Sequence, residues 1–473
     1  MRGPGRYGGR LWLAALLTAC AACTGGGTSG QPGATVTPGA AGDIVVASGR
    51  DVTGRGGIRQ RLIDAWNAEQ DRRNTGRRAR LVELPGSADE QRSQLLGALQ
   101  SDSAQYDVVN LDVTWVPEFA EARLIRPLPG ELVDDHDVIK SVASTARWDG
   151  EVYAVPFNSD VGLLYYRRDY LKKAGVRNTD LSKGLDRGKL QELMETLGEQ
   201  TGKDRPRDYE KGWTAQFGAY EGRTVNGIEA FASAPGGVAL TDKDGHYTAS
   251  VAALERGLAE LRNRTQASYL LKDALRSDEA GSLTDFADGR TAFLRHWPYA
   301  YRSLHQSLRG SQLGVTTLPG RAVLGGQNLA VTRSSGQRDA ATDLIRFLTS
   351  EESERCLLDA GFAATRVSAY EDDTVACRSA GPSAAATPDA TGSPSGESAD
   401  RMPRDDHGRP AYARAVLLPA LTRAVQRPRT PFYGAFTQTF TTELGRLFTA
   451  DPPSDGRLAR QLDEALGKVL PDD

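Results

Sequence analysis

The length and charge of the chain already exclude several classes of protein. It has 473 residues, and 58 Lys and Arg stand against 61 Asp and Glu, which gives a formal net charge of −3. Because a single hydrophobic core stops growing near ~250–300 residues, this length predicts at least two lobes. The weak acidity argues against nucleic acid as the main partner, since such a partner would favour a basic stripe.

The N-terminal residues carry the signals of an exported lipoprotein. A basic start precedes the apolar run 11–17, and the stretch Leu17–Cys20 is typical of a lipobox. The pattern predicts a signal peptide at residues 1–19 and a lipid on Cys20. The alternative is a membrane-spanning anchor, but the run is far shorter than the ~20 residues that a span needs. Residues 20–42, rich in Gly, Thr, Pro and Ala, are expected to tether the protein flexibly to the outer face of the cell membrane.

Strand and helix patterns alternate from Asp43 onwards. Short apolar runs predict strands, and apolar residues at helical spacing predict helices. The predicted strands are 44–47, 80–84, 106–111, 152–156, 163–166, 291–294, 313–318 and 329–331. The predicted helices begin at Ile58 or cover 90–100, 185–197, 251–262, 340–348, 414–425, 436–448 and 458–469. This alternation predicts an α/β fold with parallel strand pairs and right-handed crossovers.

One segment and two cysteines stand apart from this pattern. Ser379–Ser398 has scarcely any large apolar side chain, so we expect it to be disordered and remote from any binding site. Cys356 and Cys377 are the cysteines that remain after the signal region, and export favours a disulfide between them. The alternative is a buried Cys356 with a free Cys377.

Motifs for cofactors and metals are missing from the sequence. It contains no phosphate-binding loop, no H-E-x-x-H, no G-x-S-x-G and no cluster of Cys and His. Its two G-x-G-x-x-G strings lie in the signal region and the tether, away from any junction of strand and helix. We therefore expect no cofactor and no metal.

Aromatic and polar residues follow several predicted strands, at the edge where open α/β sheets bind ligands. Aromatic faces pack on the C–H side of a pyranose, while carboxylates, amides and arginines bind its hydroxyls. The set indicates a sugar site, although each member alone also fits a helix cap or a core tryptophan. The segments are Arg50-Asp51, Asp112–Trp115, Asn158–Asp160, Trp297–Tyr299 and Gly325–Asn328.

Six segments, in this order along the chain, also carry a resemblance to a known family. They are Asp107–Trp115 with Glu118–Ala120, Tyr153–Asp160 with Leu164–Asp169, Tyr220–Glu229, Gly289–Pro298, Leu324–Gly326 and Arg427–Tyr433. Together they resemble family 1 extracellular solute-binding proteins, the maltose-, trehalose- and oligosaccharide-binding receptors of ABC importers.

The resemblance implies a type II periplasmic-binding-protein fold. In this fold two α/β lobes, joined by crossing hinge segments, close on a sugar in the cleft between them. The implied first lobe comprises residues 43–157 and 319–362, and the second comprises 158–311 and 367–473, with a disordered insert at 379–408. The implied hinges lie near 157–161, 312–318 and 363–366.

The resemblance also implies a set of sugar contacts. Asp112, Asn158, Asp160, Glu221 and Trp297 match the family contacts best. The candidate set is completed by Arg50, Asp51, Gln91, Trp115, Tyr299, Gly326 and Arg366. The segment Ala363–Arg366 departs from the family pattern because it lacks a proline.

The implied function is a sugar-binding receptor without catalysis. It would act as a monomer and deliver a di- or oligosaccharide of the maltose or trehalose type to an ABC import permease. One alternative is a secreted glycoside hydrolase, because Asp112 and Glu221 among aromatic residues would also suit glycoside cleavage. Another is a receptor of the same fold for a non-sugar solute.

Overall fold

The computed structural model describes residues 42–50, 57–101, 106–377 and 400–471. Cys20, Asp51 and the segment 379–398 lie outside the described residues. The strands are β1 (Ile44–Gly49), β2 (Ala79–Leu84), β3 (Val108–Asp112), β4 (Arg147–Trp148), β5 (Glu151–Val152), β6 (Val155–Val161), β7 (Leu163–Arg167), β8 (Lys211–Thr214), β9 (Thr291–His296), β10 (Leu313–Thr317) and β11 (Leu324–Val331).

The helices surround these strands. They are α1 (Ile58–Arg72), α2 (Ala88–Gln100), α3 (Val116–Glu121), α4 (Lys140–Ala143), α5 (Arg168–Lys173), α6 (Arg187–Gly198), α7 (Glu221–Ser233), α8 (Val251–Arg264), α9 (Glu279–Ala287), α10 (Ala300–Leu304), α11 (Arg338–Leu348), α12 (Glu351–Asp359), α13 (Ser368–Glu371), α14 (Leu418–Arg423), α15 (Tyr433–Gly445) and α16 (Asp455–Leu466). The predicted helix 414–425 begins instead as a π-helical turn, Ala413–Leu417, and continues as α14. Within the described ranges, no helix is long and apolar enough to cross a membrane.

Five strands form the first sheet, in the order β2-β1-β3-β11-β6. β1 pairs in parallel with β2 and β3, and all its residues are buried, as expected for a strand covered on both faces. β11 pairs antiparallel with both β3 and β6, so the expectation of parallel pairing is wrong here. The reason is that the chain enters β11 on its return from the second sheet, so no helical crossover from β3 or β6 leads into β11 and makes it parallel to them.

Four strands form the second sheet, in the order β10-β7-β9-β8. β8 and β9 run parallel, and β7 runs antiparallel to both of its neighbours. The chain leaves the first sheet at Gly162, between β6 and β7, and returns through residues 318–323, between β10 and β11. We call the parts of the chain built on the two sheets the first lobe and the second lobe.

The passages between the sheets lie close to two of the predicted hinges. Residues 158–161 complete β6 of the first sheet, and residues 313–317 form β10 of the second sheet. The lobe boundaries and all three hinges, including the one near 363–366, remain predictions.

Helices pack on the sheets through large apolar side chains. In the first lobe, α1 buries Leu62, Ile63 and Trp66. Trp66 meets Phe347 of α11 edge to face, with ring centroids 5.6 Å apart. Burying each such side chain stabilises the fold by about 1.5–3 kcal/mol, so this layer holds the sheet in place.

The structure describes the residues on both sides of the predicted insert. A disulfide joins Cys356 to Cys377, with the Cα atoms 4.5 Å apart. Beyond the undescribed residues 378–399, Met402 is only 5 % exposed and Arg404 pairs with Pro410 in an antiparallel bridge. The prediction of disorder is therefore wrong for residues 400–408, because the buried side chain of Met402 anchors them to the core.

Candidate ligand-binding site

A cavity of ≈ 1030 Å³ lies where the two lobes face each other. The first lobe contributes the ends of β3 and β6 and the starts of β11 and α2. The second lobe contributes the starts of α7 and α9 and the residues that follow β9. Its charged, amide and aromatic lining residues are Arg50, Glu90, Gln91, Asp112, Asp160, Tyr220, Glu221, Asp278, Glu279, Trp297, Tyr299, Gln327 and Arg427. The volume is in the range of small-molecule binding sites.

The start of α2 reaches the cavity because its first turn is capped. The Ser87 hydroxyl accepts a hydrogen bond from the backbone of Glu90, and the Glu90 carboxylate accepts one from the backbone of Ser87. Such a reciprocal cap satisfies two backbone donors that the helix itself leaves free. Gln91, in the same turn, donates to the carbonyl of Gly86 at 2.9 Å. The capped turn therefore fixes where Gln91 meets the cavity.

One arginine joins the two lobes through a carboxylate on each. Asp112, the last residue of β3, accepts hydrogen bonds of 2.8 and 3.1 Å from Nη2 of Arg427. Glu221, the first residue of α7, accepts one of 2.7 Å from Nη1 of the same guanidinium. Arg427 is only 4 % exposed, and charge-assisted hydrogen bonds in such surroundings are strong. A buried cation thus holds both carboxylates at the wall of the cavity.

Glu221 and Asp112 differ in how many hydrogen bonds their carboxylate oxygens can still accept from a ligand. Both oxygens of Glu221 accept from protein donors, since Tyr433 donates to Oε1 and Thr437 donates to Oε2 at 2.6 Å. Burial raises the pKa of Glu221, Arg427 opposes the rise and Asp112 adds to it. In Asp112, Oδ1 also accepts from the backbone and hydroxyl of Thr114, at 2.9 and 2.7 Å. Oδ2 carries the longer bond to Arg427 and, with two lone pairs, can accept a ligand donor as well.

Asp160, near the end of β6, contributes a carboxylate without a donor. Its Oδ1 is enclosed and accepts no hydrogen bond from the part of the chain that the structure describes. Burial raises the pKa of Asp160 to about 7, Arg59 opposes this rise and Asp112 adds to it. Because an unsatisfied buried acceptor is costly, this carboxyl group has unused hydrogen-bonding capacity beside the cavity.

Trp297 forms an aromatic wall of the cavity, and contacts within the second lobe hold it in place. It follows β9, and the hydroxyl of Tyr165 donates to its backbone carbonyl at 2.9 Å. The guanidinium of Arg295 lies over its indole, 3.9 Å from the ring centroid. Arg295 pairs in turn with Glu229 at 2.7 Å, and both side chains are only 1 % exposed. A buried ion pair therefore fixes the plane of the indole through a cation–π contact.

Further acceptors border Trp297 at the start of α9. Glu279 accepts a hydrogen bond of 2.8 Å from the hydroxyl of Tyr220 and one of 3.4 Å from the indole nitrogen of Trp297. Asp278 caps the same helix by accepting from the backbone of Gly281 at 2.8 Å. Carboxylates at a helix start are favoured by the helix dipole. The cavity therefore combines an aromatic face with many acceptors.

The structure brings eight of the predicted contacts to this cavity. They are Arg50, Gln91, Asp112, Asp160, Glu221, Trp297, Tyr299 and Gly326. Gly326 has a φ of +117°, and a Cβ there would lie 2.5 Å from the backbone oxygen of Asn158. That position therefore favours glycine for a steric reason. The role of the eight residues in binding a ligand remains a prediction.

Three predicted contacts do not line the cavity, and we remove them from the candidate set. Trp115 is 5 % exposed and belongs to the hydrophobic core. Asn158 is 2 % exposed, and its Oδ1 accepts a hydrogen bond of 3.2 Å from Arg59. Arg366 pairs with Asp135 at 2.6 Å and donates to the carbonyl of Thr349 at 2.8 Å. In each case packing or internal hydrogen bonds already use the side chain.

Sequence reasoning missed several polar residues of the cavity, among them Arg427, Tyr220 and Glu279. In the sequence, Arg427 stands out only as part of a segment that resembles the family. Nothing in the sequence near Arg427 indicates its contact with Asp112, which lies 315 residues away. Tyr220 directly precedes the predicted contact Glu221, which is a signal that could have been used. The only sequence signal at Glu279 is its position at the start of a helix, and many surface carboxylates have the same position.

Fold and cavity together define the class of protein: a two-lobed α/β protein that can enclose a small molecule between its lobes. Residues 62–384 match the family described as bacterial extracellular solute-binding protein, over more than half of the chain. The chain therefore belongs to this family. The match confirms the resemblance at the level of extracellular solute binding.

Known relatives agree with this assignment. A probable ABC transporter-binding protein of Deinococcus radiodurans is 29 % identical over 329 residues, covering 66 % of this chain and 73 % of its own. Maltose-bound MalE3 of T. maritima has a TM-score of 0.70 at 21 % identity, with 90 % of this chain and 100 % of that chain covered. The GacH receptor of Streptomyces glaucescens, solved unliganded and with acarbose, has a TM-score of 0.69 at 20 % identity, with 90 % and 98 % covered. These structural similarities support the two-lobed fold.

Proposed function

We propose that this protein is the sugar-binding receptor of an ABC importer. One observation carries the proposal: an indole held by a buried ion pair faces the same cavity as a set of carboxylates with free acceptor capacity. The structurally similar proteins named with maltose and with acarbose support the same class of ligand.

The chemistry of a sugar suits the two halves of this site. Arg295 covers one face of Trp297, so we expect the opposite face to receive the C–H side of a pyranose ring. Asp112 from the first lobe and Glu279 from the second offer acceptors to hydroxyls on the rim of that ring. A ligand bound by both lobes favours their closed arrangement, which is the signal that a permease can recognise.

The cellular role follows from the family and the N-terminal sequence. We propose that the receptor acts outside the cell membrane, anchored by a lipid on Cys20, and passes its sugar to membrane-bound permease subunits as a monomer. The relative named as an ABC transporter-binding protein supports the importer role. Labelling cells with a radioactive fatty acid tests the anchor, since Cys20→Ala should abolish incorporation into this protein.

The alternative of a glycoside hydrolase is disfavoured by the geometry of the carboxylates. A hydrolase needs one carboxyl group that can donate a proton and another that is free to act as base or nucleophile. Asp112 and Glu221, the pair suggested by the sequence, share the guanidinium of Arg427 instead. We therefore propose binding without turnover.

Calorimetric titration with a panel of neutral and charged sugars tests the proposal directly. We expect saturable binding and an increase in the melting temperature that grows with ligand concentration, because the ligand binds the native state. The same mixtures, and nitrophenyl glycosides, should be analysed for products after incubation. Release of product would favour the hydrolase, and the absence of binding across the panel would refute a sugar receptor.

A further inference from the structure

We propose that the cleft is built for a cationic sugar, that is, a sugar carrying a protonated amine. The ammonium group would bind Asp160 beside Asp112, with the sugar ring on Trp297. The inference rests on the proposed function and narrows it to one class of ligand.

The charge of the described cavity wall is the first reason. Two guanidinium groups, those of Arg50 and Arg427, stand among six carboxyl groups. Arg427 is the shared cation of Asp112 and Glu221, so one guanidinium group stands against two carboxyl groups. In a partly desolvated cleft a ligand cation interacts with such carboxylates more strongly than in bulk water. Arg59 and Arg295, which lie behind the wall, offset part of this charge at Asp160. A ligand cation would offset more of it, and a neutral sugar would not.

The free acceptor on Asp160 is an independent reason. The residue lines the cavity, but its Oδ1 is enclosed and has no donor among the described residues, so the carboxyl group would turn this oxygen towards a ligand that binds it. An ammonium group brings three N–H donors together with a positive charge. A hydroxyl would satisfy the same oxygen with a single donor and no charge. The choice between the two groups is therefore a matter of charge, which can be measured.

The position of Asp160 next to the indole is the third reason. A Cβ built on Gly325 would lie 3.1 Å from the Cβ of Asp160 and 3.2 Å from Cζ3 of Trp297. The carboxyl group and the ring thus share one side of the β11 backbone. A ring stacked on Trp297 would place its substituents beside Asp160, and a cation near an indole gains a further attraction.

The protonation of Asp160 makes the two kinds of ligand distinguishable. Burial raises the pKa of this carboxyl to about 7, Arg59, Arg295 and Arg427 oppose the rise, and Asp112 adds to it. A cation favours the ionised form, so an amine that is already fully protonated, near ~pH 6, should release a proton from Asp160 when it binds. A neutral sugar brings no charge, so it should release fewer protons than its amine analogue.

The test compares matched ligands that differ by one group. Glucose and maltose are titrated beside their analogues in which one hydroxyl, at the 2- or the 6-position, is replaced by an amine. We expect at least one amine analogue to bind about tenfold more tightly than its neutral parent. The preference should shrink as salt is added, because exposed parts of the interaction are screened. Titration in buffers of different ionisation enthalpy should show the released proton.

Two variants locate the source of the preference. Asp160→Asn keeps the shape and one acceptor but removes the charge, so the ratio of the two affinities should fall several-fold, and the other carboxyl groups of the wall account for what remains. Asp343→Asn removes a carboxylate from an exposed ion pair with Arg77 and should leave the ratio unchanged. Both variants are compared in the same salt and buffer.

The results of these titrations distinguish a failure of the cationic-sugar inference from a failure of the proposed sugar receptor. Saturable binding of the neutral sugars with no tighter binding of any amine analogue would overturn the inference and leave the sugar receptor standing. A preference for the amine that is undiminished in Asp160→Asn would also overturn it. If neither series binds, the sugar receptor itself is refuted and the inference falls with it.

Discussion

Arg427 offers the sharpest test of how the cleft is held together. Arg427→Met removes the guanidinium but keeps a long side chain, and leaves Asp112 and Glu221 without their shared cation. Removing one partner of a buried ion pair costs about 3–5 kcal/mol. The side chains of Asp112 and Glu221 are 19 % and 9 % exposed, so water relieves part of this cost. We therefore expect a loss at the lower end, about 3 kcal/mol in the free energy of unfolding at neutral pH.

The loss should depend on pH in a defined direction. Burial already raises the pKa of Glu221, and Arg427 opposes that rise, so the pKa goes higher in the variant. A carboxyl group whose pKa is raised by folding loses stability as the pH rises from its unfolded towards its folded pKa. The variant should thus lie closest to the wild type near ~pH 4 and furthest from it near ~pH 8.

Urea unfolding, followed by tryptophan fluorescence and circular dichroism, measures this loss. Arg77→Met is the matched control, because its ion pair with Asp343 is exposed at 44 % and 46 %. The control should cost less than ~1 kcal/mol. A loss for Arg427→Met no larger than for the control, or one that does not change with pH, would refute the reasoning.

Three further predictions concern Trp297, the disulfide between Cys356 and Cys377, and Gly326. Trp297→Ala should weaken binding of the best sugar by about 2 kcal/mol, as for buried aromatic anchors, and unchanged affinity in calorimetry would remove it from the site. Replacing both Cys356 and Cys377 by Ala should lower the free energy of unfolding by about 3 kcal/mol for this loop length. Equal urea midpoints with and without reductant would contradict that. Gly326→Ala should destabilise by more than ~1 kcal/mol in thermal unfolding, while Gly336→Ala, whose Cβ has open space, should not.

Local patterns were sufficient to predict most of the secondary structure. β1 combines β-branched residues with burial on every position, and α1 places Leu62 and Trp66 on one face. Such signals lie within a few residues of one another, so they can be recognised in the sequence without knowledge of the fold. The π-helical start of the 414–425 segment has no comparable signal and was missed.

Pairings between distant segments could not be predicted in the same way. The direction of β11 depends on its approach from the second sheet, which no short window of sequence records. Trp115 and Trp297 both follow predicted strands, yet one fills the core and the other lines the cavity. The contact between Arg427 and Asp112 spans 315 residues, and it decides which acceptors remain for a ligand.

A last prediction concerns Glu354, a buried acid beside the predicted third hinge. It is 0 % exposed, its Oε2 accepts a hydrogen bond of 2.6 Å from the backbone of Thr365, and its Oε1 has no partner among the described residues. Burial raises its pKa to about 8, and the hydrogen bonds from Thr365 oppose the rise only in part. The folded protein therefore keeps this carboxyl protonated at pH values where the unfolded chain has lost the proton.

Glu354→Gln should remove the pH dependence that this carboxyl creates. Between its usual pKa of 4.5 and about 8, the wild type loses stability as the pH rises, because unfolding releases the proton. The glutamine cannot ionise in either state, so its stability relative to wild type should rise across this range by on the order of 4 kcal/mol. Glu351→Gln, an exposed change on the same helix, should follow the wild-type curve, and the titration of Asp160 cancels in both differences. Parallel stability curves for Glu354→Gln and wild type, measured by urea unfolding across this range, would show that Glu354 is ionised in the fold and that water or a rearranged donor reaches its second oxygen.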